Sequence, residues 1–196
     1  MTPAGVAFVP TSRQDENMKP SISLFCSISL LACTAVVAQG AAPQVITAAG
    51  NYHPLPKAAY QPDPANTYKV VFSLTKGSEK PGEVNPALER VARTVNLYAS
   101  AGVPLDHLKF VAVAYGPATP IVLDDDHYKA QFGVANPNLP VIAQLHKAGV
   151  DVAVCGQAMA EHHYPNEWAA KDVTVSLSAL TTITELEQQG YALMPL

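Results

Sequence analysis

Asp151-Val-Ala-Val-Cys155-Gly156-Gln157-Ala-Met-Ala-Glu161 changes character at its middle. A short apolar run of β-type residues reaches a cysteine, and the residues after Gly156 favour helix. A cysteine at such a strand-to-helix turn sits beside backbone N–H groups at the positive end of a helix dipole. That setting favours the thiolate, which is the reactive form of the side chain. The other reading is a buried structural cysteine, because free Cys is among the most buried residue types. On this stretch alone both readings stand.

The same alternation continues outward. Lys109-Phe-Val-Ala-Val-Ala-Tyr115 reads as a buried strand, and Gly116-Pro117 breaks it with Tyr115 at its carboxyl end. Tyr68-Lys-Val-Val-Phe-Ser-Leu74 is a second such strand. Between them Asn85-Pro86 opens a helix with a capping residue and a proline at the first helical position. Leu88, Val91, Ala92, Val95 and Ala99 then recur at helical spacing up to Gly102. Asn138 is placed to cap a further helix with Val141, Ile142, Leu145 and Ala148 as its apolar stripe.

On the carboxyl side, Val173-Thr-Val-Ser-Leu177 reads as a strand, and Ser178 caps a helix with Leu180, Ile183 and Leu186 inward. Tyr191-Ala-Leu-Met194 closes the chain as a short strand. The connections are too long for hairpins. The pattern predicts an α/β domain over residues 68–196, a mainly parallel sheet of about five strands with helices on both faces. In such open sheets sites gather beyond the carboxyl ends of strands, and both Cys155 and Tyr115 fall there.

Several other chemistries find no support. The loop Thr75–Val84 has Gly77 and Gly82 but neither phosphate-loop spacing nor GxGxxG, so no nucleotide or other cofactor is expected. Asp124-Asp-Asp126-His127 matches no calcium-loop spacing, and Asp124 or Asp125 reads as the cap of a short helix ending at Gly133. Cys155, His162 and His163 lack the usual spacing of zinc ligands, so no metal is expected. Met159 and Trp168 read as core or interface residues, and Glu89 with Arg93 as a solvated pair. A net charge of −4, a pI near 5.8 and the lack of a basic patch argue against a nucleic-acid partner.

The amino-terminal part reads as processing signal and arm. Met18-Lys19-Pro20 precedes an apolar run from Ile22 to Val37 that ends in small residues, the pattern of a secretory signal peptide over residues 1–38, with 1–17 as a lead-in or Met18 as the true start. The run is short and Ser/Thr-containing for a stable membrane span. Export to the periplasm or outside is therefore expected, with no membrane span after cleavage. A rival processing route uses Leu30-Leu31-Ala32-Cys33, which would leave the protein lipid-anchored through Cys33. Residues 39–67 carry Pro43, Pro54, Pro56, Pro62 and Pro64 and read as an extended arm. Tyr52, Leu55 and Tyr60 are its candidate pins, to the domain or to a neighbouring subunit. A cut after Ala38 removes Cys26 and Cys33 and leaves Cys155 as a lone thiol, which favours the reactive reading.

Val154-Cys155-Gly156-Gln157-Ala158 and Leu177-Ser-Ala-Leu180 with Gln188-Gln-Gly190-Tyr191-Ala192 resemble the DsrE/DsrF-like family. Asn96-Leu-Tyr-Ala99 before Gly102-Val-Pro104, and Gly133-Val-Ala-Asn-Pro137-Asn-Leu, carry the same likeness. The resemblance implies a three-layer α/β/α domain, assembly into homo-oligomers (trimers or hexamers), and sulfur relay with a persulfide on the matching cysteine, Cys155. It implies a sulfur donor and acceptor as partners, each a protein or a small sulfane-sulfur compound. The chain departs from the expected pattern at Ala114-Tyr115-Gly116-Pro117, where a histidine and then Gly-Gly are expected. A tyrosine cannot serve as a near-neutral base there.

Around Cys155 as the reacting residue, Gly156, Gln157, Tyr115 and His162 are the candidate binding residues. His162 falls two turns beyond the cysteine if the helix continues, about 10 Å along it. Two other functions fit the same residues: a non-catalytic oligomeric binding or scaffold protein, and a thiol redox sensor cycling through sulfenic acid or a mixed disulfide. No acid–base pair or Ser–His–Asp set marks a self-contained enzyme.

Overall fold

The computed structural model describes residues 44–196. The signal-peptide and lipid-attachment readings lie outside the described residues. The elements run β1 (Tyr68–Leu74), α1 (Pro86–Ser100), β2 (Leu108–Ala114), α2 (Asp125–Phe132), α3 (Leu139–Lys147) and β3 (Asp151–Cys155). Then come α4 (Gly156–Glu161), β4 (Val173–Ser176), α5 (Ala179–Gln188) and β5 (Ala192–Pro195).

The strands form one sheet in the order β4-β3-β2-β1-β5, every neighbour parallel. The chain steps outward from β1 to β4, and then α5 carries it back across the sheet to the far side of β1. Parallel crossovers keep one hand, so reversing the direction moves the helix to the opposite face. Helices α1 and α3 therefore cover one face and α5 the other, a three-layer α/β/α fold.

Side-chain alternation divides the strands between two cores. Phe72, Leu74, Phe110, Ala112, Val152 and Val154 point to the α1/α3 side, where Leu88, Val91, Ile142 and Leu145 meet them. Tyr68, Tyr98, Phe110 and Phe72 form a chain of edge-on ring contacts there, with centroids 4.6, 5.5 and 5.4 Å apart. Val71, Val111, Val113, Ala153 and Cys155 point to the α5 side and meet Ala158 and Ala179.

The arm is pinned, and Leu55 and Tyr60 are not what holds it to this domain. Leu55 is 67% exposed and Tyr60 fully exposed. With Tyr52, they line a groove of about 680 Å³ between the arm and the end of α1 (Leu97, Tyr98), which includes none of the candidate site residues. The docking instead uses Ile46, which is fully buried in the α1/α3 core. The Asn96 carboxamide oxygen accepts from the N–H groups of Val45 and Ile46, and its amide donates to Ile46 O and Gly50 O, all at 2.8–3.0 Å. One buried side chain thus meets the backbone of a segment that has no strand to pair with. Gly50, at φ +80°, lies so close to α1 that a Cβ would sit 2.5 Å from the Ala92 carbonyl carbon. Gln144 Oε1 on α3 accepts from Thr47 and Ala48 in the same way.

Two helix assignments need correction. Asn138 precedes α3 but does not cap it with its side chain. Its oxygen accepts from Asn85 N–H at 2.8 Å and its amide donates to Asn136 Oδ1, so it ties the start of α3 to the start of α1. Leu180 is 79% exposed rather than inward. The inward face of α5 is Ala179, which is buried, with Ile183 and Leu186, which are half-buried on the same side as expected, at i, i+4 and i+7. The expected caps Asn85, Asp124 and Ser178 are all present, with Asp124 accepting from His127 N–H at 2.9 Å. Desolvation works to raise the Asp124 carboxyl, yet hydrogen bonds from His127 and the Asp126 N–H hold it below the usual carboxylate value. Trp168 is half-buried and stacks on the His127 ring, centroids 4.1 Å apart, while Met159 is core. Among the described residues, no helix is long and apolar enough to cross a membrane.

Candidate functional site

Cys155 is the last residue of β3 and the residue from which α4 starts. It is 6% exposed, and Sγ accepts a hydrogen bond from the Ala158 N–H at 3.4 Å. The sulfur therefore acts as the helix N-cap, answering one of the orphan donors of the first turn. The same interaction serves a sulfur anion better than a neutral one, because a charged acceptor strengthens the bond.

Gly156 is glycine for a steric reason. A Cβ there would sit 2.7 Å from the Ser176 carbonyl oxygen on β4, a contact that real side chains do not make. The missing side chain lets the end of β4 close against the start of α4. Gln157 extends the link, its amide donating to Leu177 O at 3.4 Å. The closure brings Ser178 to the cysteine, with Oγ 4.0 Å from Cys155 Sγ. Ser178 is buried, and its oxygen also caps α5 by accepting from the Leu180 N–H at 3.2 Å.

Tyr115 directly follows the neighbouring strand, β2. Ala114 is in register with Val154, so the next pair along is Tyr115 and Cys155, on strands about 4.8 Å apart. Both side chains face the α5 layer. The Tyr115 hydroxyl turns toward β1, where it shares a hydrogen bond with Ser73 Oγ at 2.8 Å. The ring thus walls the site on one side and its polar end is occupied. His162 follows the last residue of α4, its Nε2 3.3 Å from Gly116 O and its ring stacked on Tyr164. No hydrogen bond joins it to Cys155 among the described residues. Cys155, Gly156, Gln157 and Tyr115 are thus brought together at the carboxyl edge of β2 and β3, and His162 sits at the rim of that edge.

The profile of the DsrE/DsrF-like family matches residues 69–196. The chain belongs to the DsrE/DsrF-like family. The match spans the sheet, the helices and the whole cysteine edge of this DsrE-type chain. Among solved structures, a protein of unknown function from Methanobacterium thermoautotrophicum is similar at 19% identity and a TM-score of 0.50. That similarity covers 66% of this chain and 99% of the other, and it supports the DsrE-type fold. No curated protein matches the sequence.

Ser178 is a site residue that the sequence shows as a helix cap and as part of the family-like stretch Leu177–Leu180, with no sign of its contact with Cys155. Nothing local to Leu177-Ser178-Ala179 points to the cysteine, which is 23 residues away. The signal that places it there is the pairing of β4 beside β3, with Cys155 opposite Ser176.

Proposed function

We propose that this DsrE-type protein is an exported sulfur carrier, holding sulfane sulfur as a persulfide on Cys155. The observation that carries the reading is Cys155 Sγ at the carboxyl end of β3, accepting the Ala158 N–H. A Cys155 thiolate attacks the outer sulfur of a sulfane donor, forming a new S–S bond while the donor's own bond to that sulfur breaks. The donor leaves with the bonding electrons, as sulfite from thiosulfate or as a shortened polysulfide. The product anion keeps its charge on sulfur, beside the backbone N–H that held the thiolate. No second cysteine lies in the described residues, so release occurs when a thiol or another nucleophile from outside takes the terminal sulfur.

Burial selects the donor. A cysteine only 6% exposed is reached by small sulfane-sulfur compounds more readily than by a bulky protein disulfide. Assembly into homo-oligomers and residence in the periplasm belong to the same proposal, supported by the family and by the charge-poor apolar run from Ile22 to Val37.

Cyanolysis tests delivery. Protein treated with polysulfide and freed of excess donor is exposed to cyanide, which takes the terminal sulfur as thiocyanate and returns the thiolate. The proposal expects close to one thiocyanate per chain from wild type and none from Cys155→Ser. Equal yields from the two would remove Cys155 as the carrier.

A further inference from the structure

Ser178 touches the reacting sulfur from a different element than the one that carries it. Its oxygen accepts from the Leu180 N–H at 3.2 Å, and its Oγ lies 4.0 Å from Cys155 Sγ, in range for a hydrogen bond to sulfur. A hydroxyl has one proton and two lone pairs, and it rotates to suit its neighbour. With Cys155 as a thiol, the S–H donates to Ser178 Oγ. Once the proton is gone, the Ser178 O–H is free to turn and donate to the sulfur, because the Leu180 N–H uses only a lone pair.

We propose that Ser178 is a positioning residue for Cys155, a reversible hydrogen-bond partner that receives from the thiol and donates to the sulfur anion. This rests on the sulfur-carrier reading for its purpose, although the hydrogen bond itself can be tested without sulfur transfer. Two helix starts then converge on one sulfur: α4 through the Ala158 N–H and α5 through the capped hydroxyl of Ser178. The convergence depends on Gly156, since a side chain there would hold off Ser176, two residues before Ser178. It also aims the sulfur, because a charge held from two sides has fewer directions of approach. Neither alanine nor an acidic residue at 178 could both accept and donate; threonine could.

The test is the alkylation rate of Cys155 by iodoacetamide, followed by intact mass on the mature chain across a range of pH. Wild type, Ser178→Ala and Ser178→Thr are compared. At about pH 6, where the thiolate fraction limits the rate, Ser178→Ala is expected to react about threefold to tenfold more slowly. At about pH 10, with most thiols ionised, its rate is expected to converge on wild type. Ser178→Thr is expected to restore the wild-type profile. Should the alanine variant fold poorly, Ser178→Gly removes the same hydroxyl at a smaller capping cost and carries the same expectation.

A profile for Ser178→Ala that superimposes on wild type would overturn the proposal. So would a slowing equal at all pH values that threonine does not relieve, since that marks a packing change. Thiosulfate loading, run beside the alkylation, separates this proposal from the one it rests on. Wild type that gains no sulfur, with the pH-dependent alkylation effect intact, would sink the carrier reading and leave the Ser178 contact standing. Normal loading with no alkylation effect would do the reverse.

Discussion

The two faces of the sheet are built from the same strands but to different scales. Toward α1 and α3 the strands present Phe72, Leu74 and Phe110, and the helices return Leu88, Ile142 and Leu145, with Ile46 of the arm laid in among them. Toward α5 they present Val71, Val113, Ala153 and Cys155 against Ala158 and Ala179. Large side chains bury more apolar area, so the first face contributes most of the stability of the fold. Small side chains let backbone elements come close, and on the second face that closeness brings the starts of α4 and α5 to one sulfur. The larger core and the Cys155 sulfur lie on opposite sides of one sheet.

The division makes graded predictions. Phe110→Ala empties a fully packed position on the large-residue face and is expected to cost about 3–5 kcal/mol in chemical denaturation. Where the variant is still folded, its Cys155 alkylation rate should match wild type. A changed rate would mean the two faces are coupled. Gly156→Ala adds one carbon against the Ser176 carbonyl, with a cost of about 1–3 kcal/mol. Here the alkylation rate of Cys155 should change too, because the end of β4 must move away. An alanine variant with wild-type stability and reactivity would show that the closure at Gly156 is loose. Leu180→Ser alters an exposed residue beside the site, and thermal unfolding should report a change within about 0.5 kcal/mol. A loss above about 2 kcal/mol would show that Leu180 is covered in the assembled protein.

The fold was largely legible because each local signal agreed with the next. Buried strands carry continuous apolar runs, helices open at Asn85, Asp124 and Ser178 and stop at glycines, and the connections are long. Each of these rests on short-range chemistry that a sequence displays. Cys155 was legible for the same reason, since the turn from β3 into α4 is local.

What stayed hidden depends on contacts between distant residues. Asn138 has the composition of a helix cap, but a partner 53 residues away, the Asn85 N–H, claims its oxygen. Leu180 shares helical spacing with Ile183 and Leu186, which do face the sheet, but the docking of α5 turns Ala179 inward in its place. The arm showed Leu55 and Tyr60 and hid its attachment at Asn96, whose side chain meets the backbone of Val45 and Ile46 about 50 residues away. Ser178 was hidden by the sheet order, which sets β4 beside β3.

Intact mass of the mature protein after incubation with polysulfide or thiosulfate, beside Cys155→Ser, tests the central claim most directly. The account predicts a gain of one sulfur atom on wild type only, reversed by a reductant. No gain on wild type, with Cys155 also unreactive toward a small alkylating reagent in the folded state, would contradict it and leave a folded binding module in its place.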